Sequence, residues 1–212
     1  MSDLTFECLD VRPERYAAVP TLRFRLRLEE SSGVAVHAVA LRCQIRIEPH
    51  RRPYTEAEAD GLLDLFGEMT RWGETLKPLQ FAAVSVMVPG FRDSTEVALF
   101  VPCTYDFEVA AAKYFHALEQ GEVPLLLLFS GSAFLQAEAG FSVEPVPWDR
   151  EARYRLPGGV WHELMDLYFP NSAWLRVRRE TLSALQAFKS HAALPTWDDA
   201  FDALLRRSGA LR

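Results

Sequence analysis

Between Thr21 and Glu29 the chain alternates without a break. Leu22, Phe24, Leu26 and Leu28 take the even positions, and Arg23, Arg25, Arg27 and Glu29 the odd ones. A period of two sends the apolar side chains to one face of a strand and the charges to the other. Such a strand belongs in an antiparallel sheet with one face on a core and one in water. Ser31-Ser32-Gly33 then supplies turn residues. Val39, Leu41, Cys43, Ile45 and Ile47 repeat the pattern against Arg42, Gln44, Arg46 and Glu48. Two such runs across a short polar connection predict a β-hairpin. Its arginines read as a solvated face rather than a binding stripe.

More strands and helices follow. Thr55-Glu56-Ala57-Glu58 is a capping box that opens a short helix carrying Leu62, Leu63, Leu65 and Phe66, with Gly67 as its left-handed close. Residues 81–88 and 95–101 are rich in strand formers, and Pro89-Gly90 marks their connection. Pro102 ends the second strand, and Thr104 or Asp106 caps a helix through Tyr114 and Leu118 that stops at Gly121. Val123–Phe129 is a short apolar run of the kind found in a buried strand. Residues 134–148 add another, pushed to a sheet edge by Pro145 and Pro147. After Trp148 the pattern turns helical. Pro157 starts a helix with Trp161, Leu164, Met165 and Tyr168. Ser172 caps one with Leu175, Leu182, Leu185 and Phe188, and Thr196 caps the last, with Phe201, Leu204 and Leu205. The expected fold is α+β and single-domain over 1–212. Residues 1–150 would be mainly antiparallel sheet with two helices, and 151–212 a helical cover.

The 212 residues can bury a core without staples, and a net charge of −6 disfavours nucleic acid and anionic membranes as partners. Cys8, Cys43 and Cys103 are odd in number and far apart, so neither a disulfide framework nor a C-x-x-C metal clip is expected. The N-terminus lacks the basic-then-apolar pattern of a signal peptide, and no apolar run approaches the ~20 residues that span a bilayer. The expected location is the cytoplasm.

No G-x-G-x-x-G, G-x-x-x-x-G-K-S/T or G-x-S-x-G pattern occurs. Cys103, just before a predicted helix, stands where a dipole lowers a thiol pKa. His116 lies on that helix but thirteen residues on, roughly 20 Å away, too far to be its base. His162 and Asp166 share a helix face, yet one pair does not make a metal site. No metal or other cofactor is implied. Trp148, Trp161 and Trp174 are core by default and become partner anchors if exposed.

The order of elements over Glu96–Phe134 is strand, Pro102-Cys103, helix, Gly121, then Pro124-Leu125-Leu126-Leu127-Leu128-Phe129. This resembles the central stretch of the SecB export chaperone family, which implies a SecB-like sheet and makes a homo-oligomer plausible. Leu65-Phe66-Gly67, Arg71-Trp72-Gly73, Pro102-Cys103-Thr104-Tyr105-Asp106, Leu128-Phe129-Ser130-Gly131 and Val146-Pro147-Trp148 resemble an actinobacterial-type family akin to accessory proteins encoded beside nickel–iron hydrogenases. That resemblance implies a role in attending such an enzyme and brings no catalytic residues. Three readings result. The first is a non-enzymatic binding or assembly protein whose client is a polypeptide, such as a hydrogenase subunit, with Cys103, Tyr105, His116, Trp148, Trp161, His162 and Trp174 as candidate contacts. The second is a small-ligand or metal-handling module using Cys103, His116 or His162. The third is an enzyme with Cys103 as nucleophile.

Overall fold

The alternating runs at Thr21 and Val39 are both strands, but they do not pair with each other. The computed structural model describes residues 3–104, 109–118, 121–137, 140–172 and 176–210. Its strands are β1 (Leu4–Pro13), β2 (Thr21–Glu30), β3 (Val36–Ile47), β4 (Leu79–Phe91), β5 (Ser94–Pro102), β6 (Glu122–Ala137), β7 (Gly140–Pro145) and β8 (Glu151–Pro157). The first sheet has the order β1-β2-β5 and the second β4-β3-β6-β7, with β8 on the same side of β6 as β7 but further along it. All pairings are antiparallel. With the helices, this makes the chain α+β.

The predicted hairpin is therefore corrected. Period two records that each strand has one buried face, and two facing sheets satisfy that as well as one sheet does. The apolar residues of β2 and those of β3 point at each other across a shared core rather than lying side by side. Phe6 of β1 stacks on Phe129 of β6 at 4.3 Å and ties the two sheets together. The crossing from β2 to β3 is built on Glu30. Its buried carboxylate accepts hydrogen bonds from the backbone N–H groups of Asp3, Ser32 and Val34 and from the Ser32 hydroxyl.

Other expectations shift for local reasons. β1 went unrecognised because a bulge between Cys8 and Asp10 breaks its alternation of Leu4, Phe6 and Cys8 before Val11. β4 runs through Pro89-Gly90, and the chain turns instead at Asp93, which has φ +60°. The run at 123 extends to Ala137 as the 16-residue strand β6, which takes in the start of the run at 134, and the later part of that run is the separate edge strand β7. Gly131 of β6 sits at φ +141°, where a Cβ would lie 2.0 Å from the Ala40 carbonyl oxygen. β8 was expected to be helical; its run is too short and too charged to register as a strand.

The contacts divide the chain into two compact units, Met1–Trp174 and Leu175–Arg212. In the first, a connector after β3 carries α1 (Glu56–Gly61), α2 (Leu63–Phe66) and α3 (Trp72–Thr75). The Thr55–Glu58 capping box is present, and Gly67 closes α2 at φ +70°. α4 (Ala110–His116) starts after Val109 rather than at Thr104; Asp106 lies outside the described residues. α5 (Gly158–Tyr168) packs on β1 and β8, with Pro157 as its N-cap. The second unit holds α6 (Arg179–His191) and α7 (Trp197–Ser208). α6 begins after Arg178, not at Ser172, while α7 has the predicted Thr196 cap in a box with Asp199.

Candidate functional site

Of the residues singled out above, the structure brings three together where α4 meets α5. Trp161 is buried and stacks on Phe115 at 4.4 Å and 11°, so it is core rather than contact surface. His162, on the next position of α5, has its Nε2 3.2 Å from the Leu118 carbonyl oxygen. A carbonyl only accepts, so Nε2 carries the proton and donates. His116 is exposed at the end of α4; loss of hydration and the nearby His162 both lower its pKa. Among the described residues no three or more His, Cys, Asp or Glu side chains gather as metal ligands. Here His116 and His162 are a pair, not a coordination sphere.

Cys103 follows β5 and is anchored through its N–H to the Pro20 carbonyl at 2.7 Å. Its thiol lies 3.4 Å from the Val101 carbonyl, and burial pushes its pKa up to about 12. The expected dipole is out of place, because α4 begins only at Ala110. A thiol held protonated at neutral pH is a poor nucleophile. Trp148 is 91% exposed on the excursion between β7 and β8. Tyr105 and Trp174 lie outside the described residues.

A buried polar network went unforeseen. Arg52 and Glu58 form an ion pair at 2.7 Å with side chains only 7% and 3% exposed. The Tyr54 hydroxyl donates to the Pro49 carbonyl at 2.8 Å. Its single hydrogen is thereby used, so Tyr114 donates to Tyr54, 2.8 Å away. Burial raises the pKa of both phenols and keeps them neutral. The network fastens the connector to α4 and offers no exposed acid or base.

The feature with the most to offer a partner is the outer face of the second sheet. Cross-strand register sets Pro89, Ala38, Phe134 and Val143 in one apolar row across β4, β3, β6 and β7. Beside that row lie Met87 and Ala40, and beyond it the Phe141 ring lies tilted against His37, with centroids 4.3 Å apart. Met87, Phe141 and Val143 are 62%, 61% and 60% exposed. Two shallow, open depressions lie along it. One pocket of about 410 Å³ is lined by His37, Gly90, Gln136 and Phe141 among others, and a second of about 290 Å³ by Ala40, Ser85 and Met87 among others. Further along the same strands the face turns polar, with Arg42, Gln44 and Arg46 of β3 beside Ser85 and Gln80 of β4. An exposed, contiguous apolar patch bordered by polar residues is the usual mark of an interaction site.

Sequence reasoning missed this patch, yet it left a signal. Residues 82–88, Ala-Ala-Val-Ser-Val-Met-Val, are apolar at nearly every position, not at every second one. A strand written that way is not meant to turn a wet face outward.

A family model matches residues 1–211. The chain belongs to the DUF6084 family. That family is one of unknown function. No curated protein matches this DUF6084 chain. Among solved structures it is similar to the CARDB domain of a Pyrococcus furiosus protein in complex with di-metal ions, with 9% identity and a TM-score of 0.29 over 74% of this chain and 92% of that one. It is also similar to a putative late embryogenesis abundant protein, at 11% identity and a TM-score of 0.30 over 73% and 72%. β-Glucosidase 3B from Thermotoga neapolitana matches at 14% identity and 0.28 over 73% of this chain and 17% of that one. Likeness this low carries no argument about function. No helix among the described residues of the DUF6084 chain is long and apolar enough to cross a membrane.

Proposed function

We propose that this DUF6084 protein is a non-enzymatic polypeptide-binding or assembly protein, and that its client lies on the apolar half of the second sheet's outer face. One observation carries the reading: the row Pro89–Ala38–Phe134–Val143 is apolar and four strands wide, half-buried at Ala38 and Phe134 and exposed at Pro89 and Val143, with exposed Met87 and Phe141 flanking it. Unfolded or partly assembled chains display apolar side chains that such a surface accepts. Each large side chain brought fully out of water contributes roughly 1.5–3 kcal/mol. Among the described residues β7 pairs on one side only, with β6, so its other edge can add main-chain hydrogen bonds to an extended client. Burial raises the pKa of the Cys103 thiol, which disfavours that residue as a nucleophile.

In this reading the protein works in the cytoplasm, with Cys8, Cys43 and Cys103 as free thiols. The resemblance to hydrogenase accessory proteins nominates a hydrogenase subunit or its precursor as client. The test is capture from the native host under hydrogen-oxidising growth, comparing the wild-type chain with Met87→Glu/Val143→Glu. Enrichment of one such subunit by the wild type and its loss in the double variant support the reading. Equal capture by both, or capture of nothing by either, overturns it.

A further inference from the structure

We infer that the polypeptide bound on the second sheet's outer face carries acidic side chains next to its apolar ones, and that Arg42 and Arg46 of β3 receive them. This rests on the polypeptide-binding reading and names the class of client. Ala38, Ala40, Arg42 and Arg46 take even positions of one strand and so share its outer face. Ala38 belongs to the apolar row, and Arg42 stands roughly 13 Å further along β3. An extended segment laid along β3 with apolar side chains over the row brings the residues about four to eight positions on over the two guanidinium groups.

The charges on this face are left open. The other arginines of the strands, Arg12, Arg23, Arg25, Arg27, Arg153 and Arg155, each meet a carboxylate. Arg42 is exposed and Arg46 half-buried, and among the described residues no carboxylate pairs with either. Arg46 leans on the Gln44 side chain. Their cross-strand neighbours are Ser85 and Ser130 for Arg42, and Gln80 and Leu126 for Arg46. In a chain with 29 acidic residues and a net charge of −6, β3 and β4 hold no Asp or Glu. Arginines fixed beside an apolar surface without an internal counter-ion favour a partner that brings one. The shallow depression lined by Met87 and Arg42 spans the boundary between the two halves, so it can take an apolar side chain and a carboxylate from neighbouring positions of one segment. Two cations beside an apolar row suit a polypeptide, because a nucleic-acid backbone presents far more charge than they neutralise.

Fluorescence anisotropy of the full chain with three labelled peptides tests this. The peptides share one apolar core of leucine and phenylalanine and are flanked by glutamate, glutamine or lysine. The wild type should bind the glutamate-flanked peptide about 10-fold tighter than the lysine-flanked one at low salt, with the glutamine-flanked one between them. Salt at about 0.5 M should narrow the gap. Arg42→Gln and Arg46→Gln should each shrink the preference, and Arg42→Glu/Arg46→Glu should reverse it. The glutamine-flanked peptide should bind that double variant within ~2-fold of the wild type, which shows that the fold and the apolar half are intact. Equal binding of the glutamate- and lysine-flanked peptides by the wild type overturns this inference alone, provided the glutamine-flanked peptide binds and is lost in Met87→Glu/Val143→Glu. A preference that all the arginine variants retain does the same. If no peptide binds the wild type, or Met87→Glu/Val143→Glu binds them all equally well, the polypeptide-binding reading itself falls and takes this inference with it.

Discussion

The outer faces of the two sheets are built from the same kind of strand and finished in opposite ways. On the first sheet Arg23, Arg25 and Arg27 stand in a row, and each meets a carboxylate. Arg25 lies 3.4 Å from Asp10 and 3.5 Å from Glu96, Arg27 lies 3.4 Å from both Glu7 and Glu96, and Arg23 reaches Glu14 at 3.9 Å. These three arginines are thus paired, and one exposed aromatic, Phe100, lies opposite Arg23. The second sheet replaces those charges with Met87, Phe134, Phe141 and Val143 over half its face. A sheet that needs only to stay in water has no use for the second arrangement. The difference teaches that the first face is finished with paired charges and the second with apolar side chains, and the proposed binding role rests on that contrast.

The largest expected effect is on binding. With a permanently unfolded, carboxymethylated polypeptide as ligand, Met87→Glu/Val143→Glu should weaken affinity about 100-fold, near 2.7 kcal/mol. Phe100→Glu on the first sheet should change it less than ~2-fold, because a lone exposed aromatic is ordinary surface. Fluorescence anisotropy reads both, and similar losses in the two variants would erase the contrast between the faces.

Next comes the strand beneath the patch. Gly131→Ala forces a Cβ into the Ala40 carbonyl at a backbone angle that only glycine adopts freely. It should cost about 3 kcal/mol in urea unfolding and loosen β3 from β6, where the apolar row is assembled. A neutral result would mean that the row is not held as described.

Glu30 sharpens the comparison from the crossing between the two sheets. Burial opposes its ionisation, but the hydrogen bonds from Ser32, Asp3 and Val34 outweigh that and hold its pKa below the ordinary 4.5. The folded value is depressed, so the stabilisation is complete above pH 4.5 and is lost as pH falls through the folded pKa. Glu30→Ala should cost about 2 kcal/mol at pH 7. Its urea midpoint should approach that of the wild type in acid. A gap between the two that does not narrow below pH 4 would show that the carboxylate's charge is not what matters.

The smallest effect belongs to the first sheet's own ion pairs. Arg25→Ala removes two exposed contacts and should cost no more than about 0.5 kcal/mol, less in high salt. Thermal unfolding at two ionic strengths checks it.

Much of this architecture was legible in the residues and part was not. The inward sets of β2 and β3 are read directly from their alternation, because burial on one face leaves a period of two. Which strand each one neighbours is a long-range choice that alternation does not encode, and so the expected hairpin became two facing sheets. Thr55, Gly67 and Thr196 act as caps because capping is settled within four residues. The start of α6 at Arg179 rather than Ser172 shows the limit of that rule: a side chain able to cap does not create a helix. Among the site candidates, Cys103 is a half-buried residue at the end of β5 with no helix start beside it, and Trp161 is core, the default for an aromatic in that position. His116 and His162 do meet, through a contact between α4 and α5 that spacing does not reveal. The apolar patch was hidden for a different reason. Its members, Ala38, Met87, Phe134 and Val143, come from four strands and become a surface only once register aligns them.

The measurement that tests the central claim most directly is hydrogen–deuterium exchange of the full chain with and without the unfolded polypeptide. Binding on the second sheet predicts added protection of β4 and β7 amides, over 79–91 and 140–145, with β1, β2 and β5 unchanged. Protection centred on the first sheet, or none at saturating ligand, would contradict it.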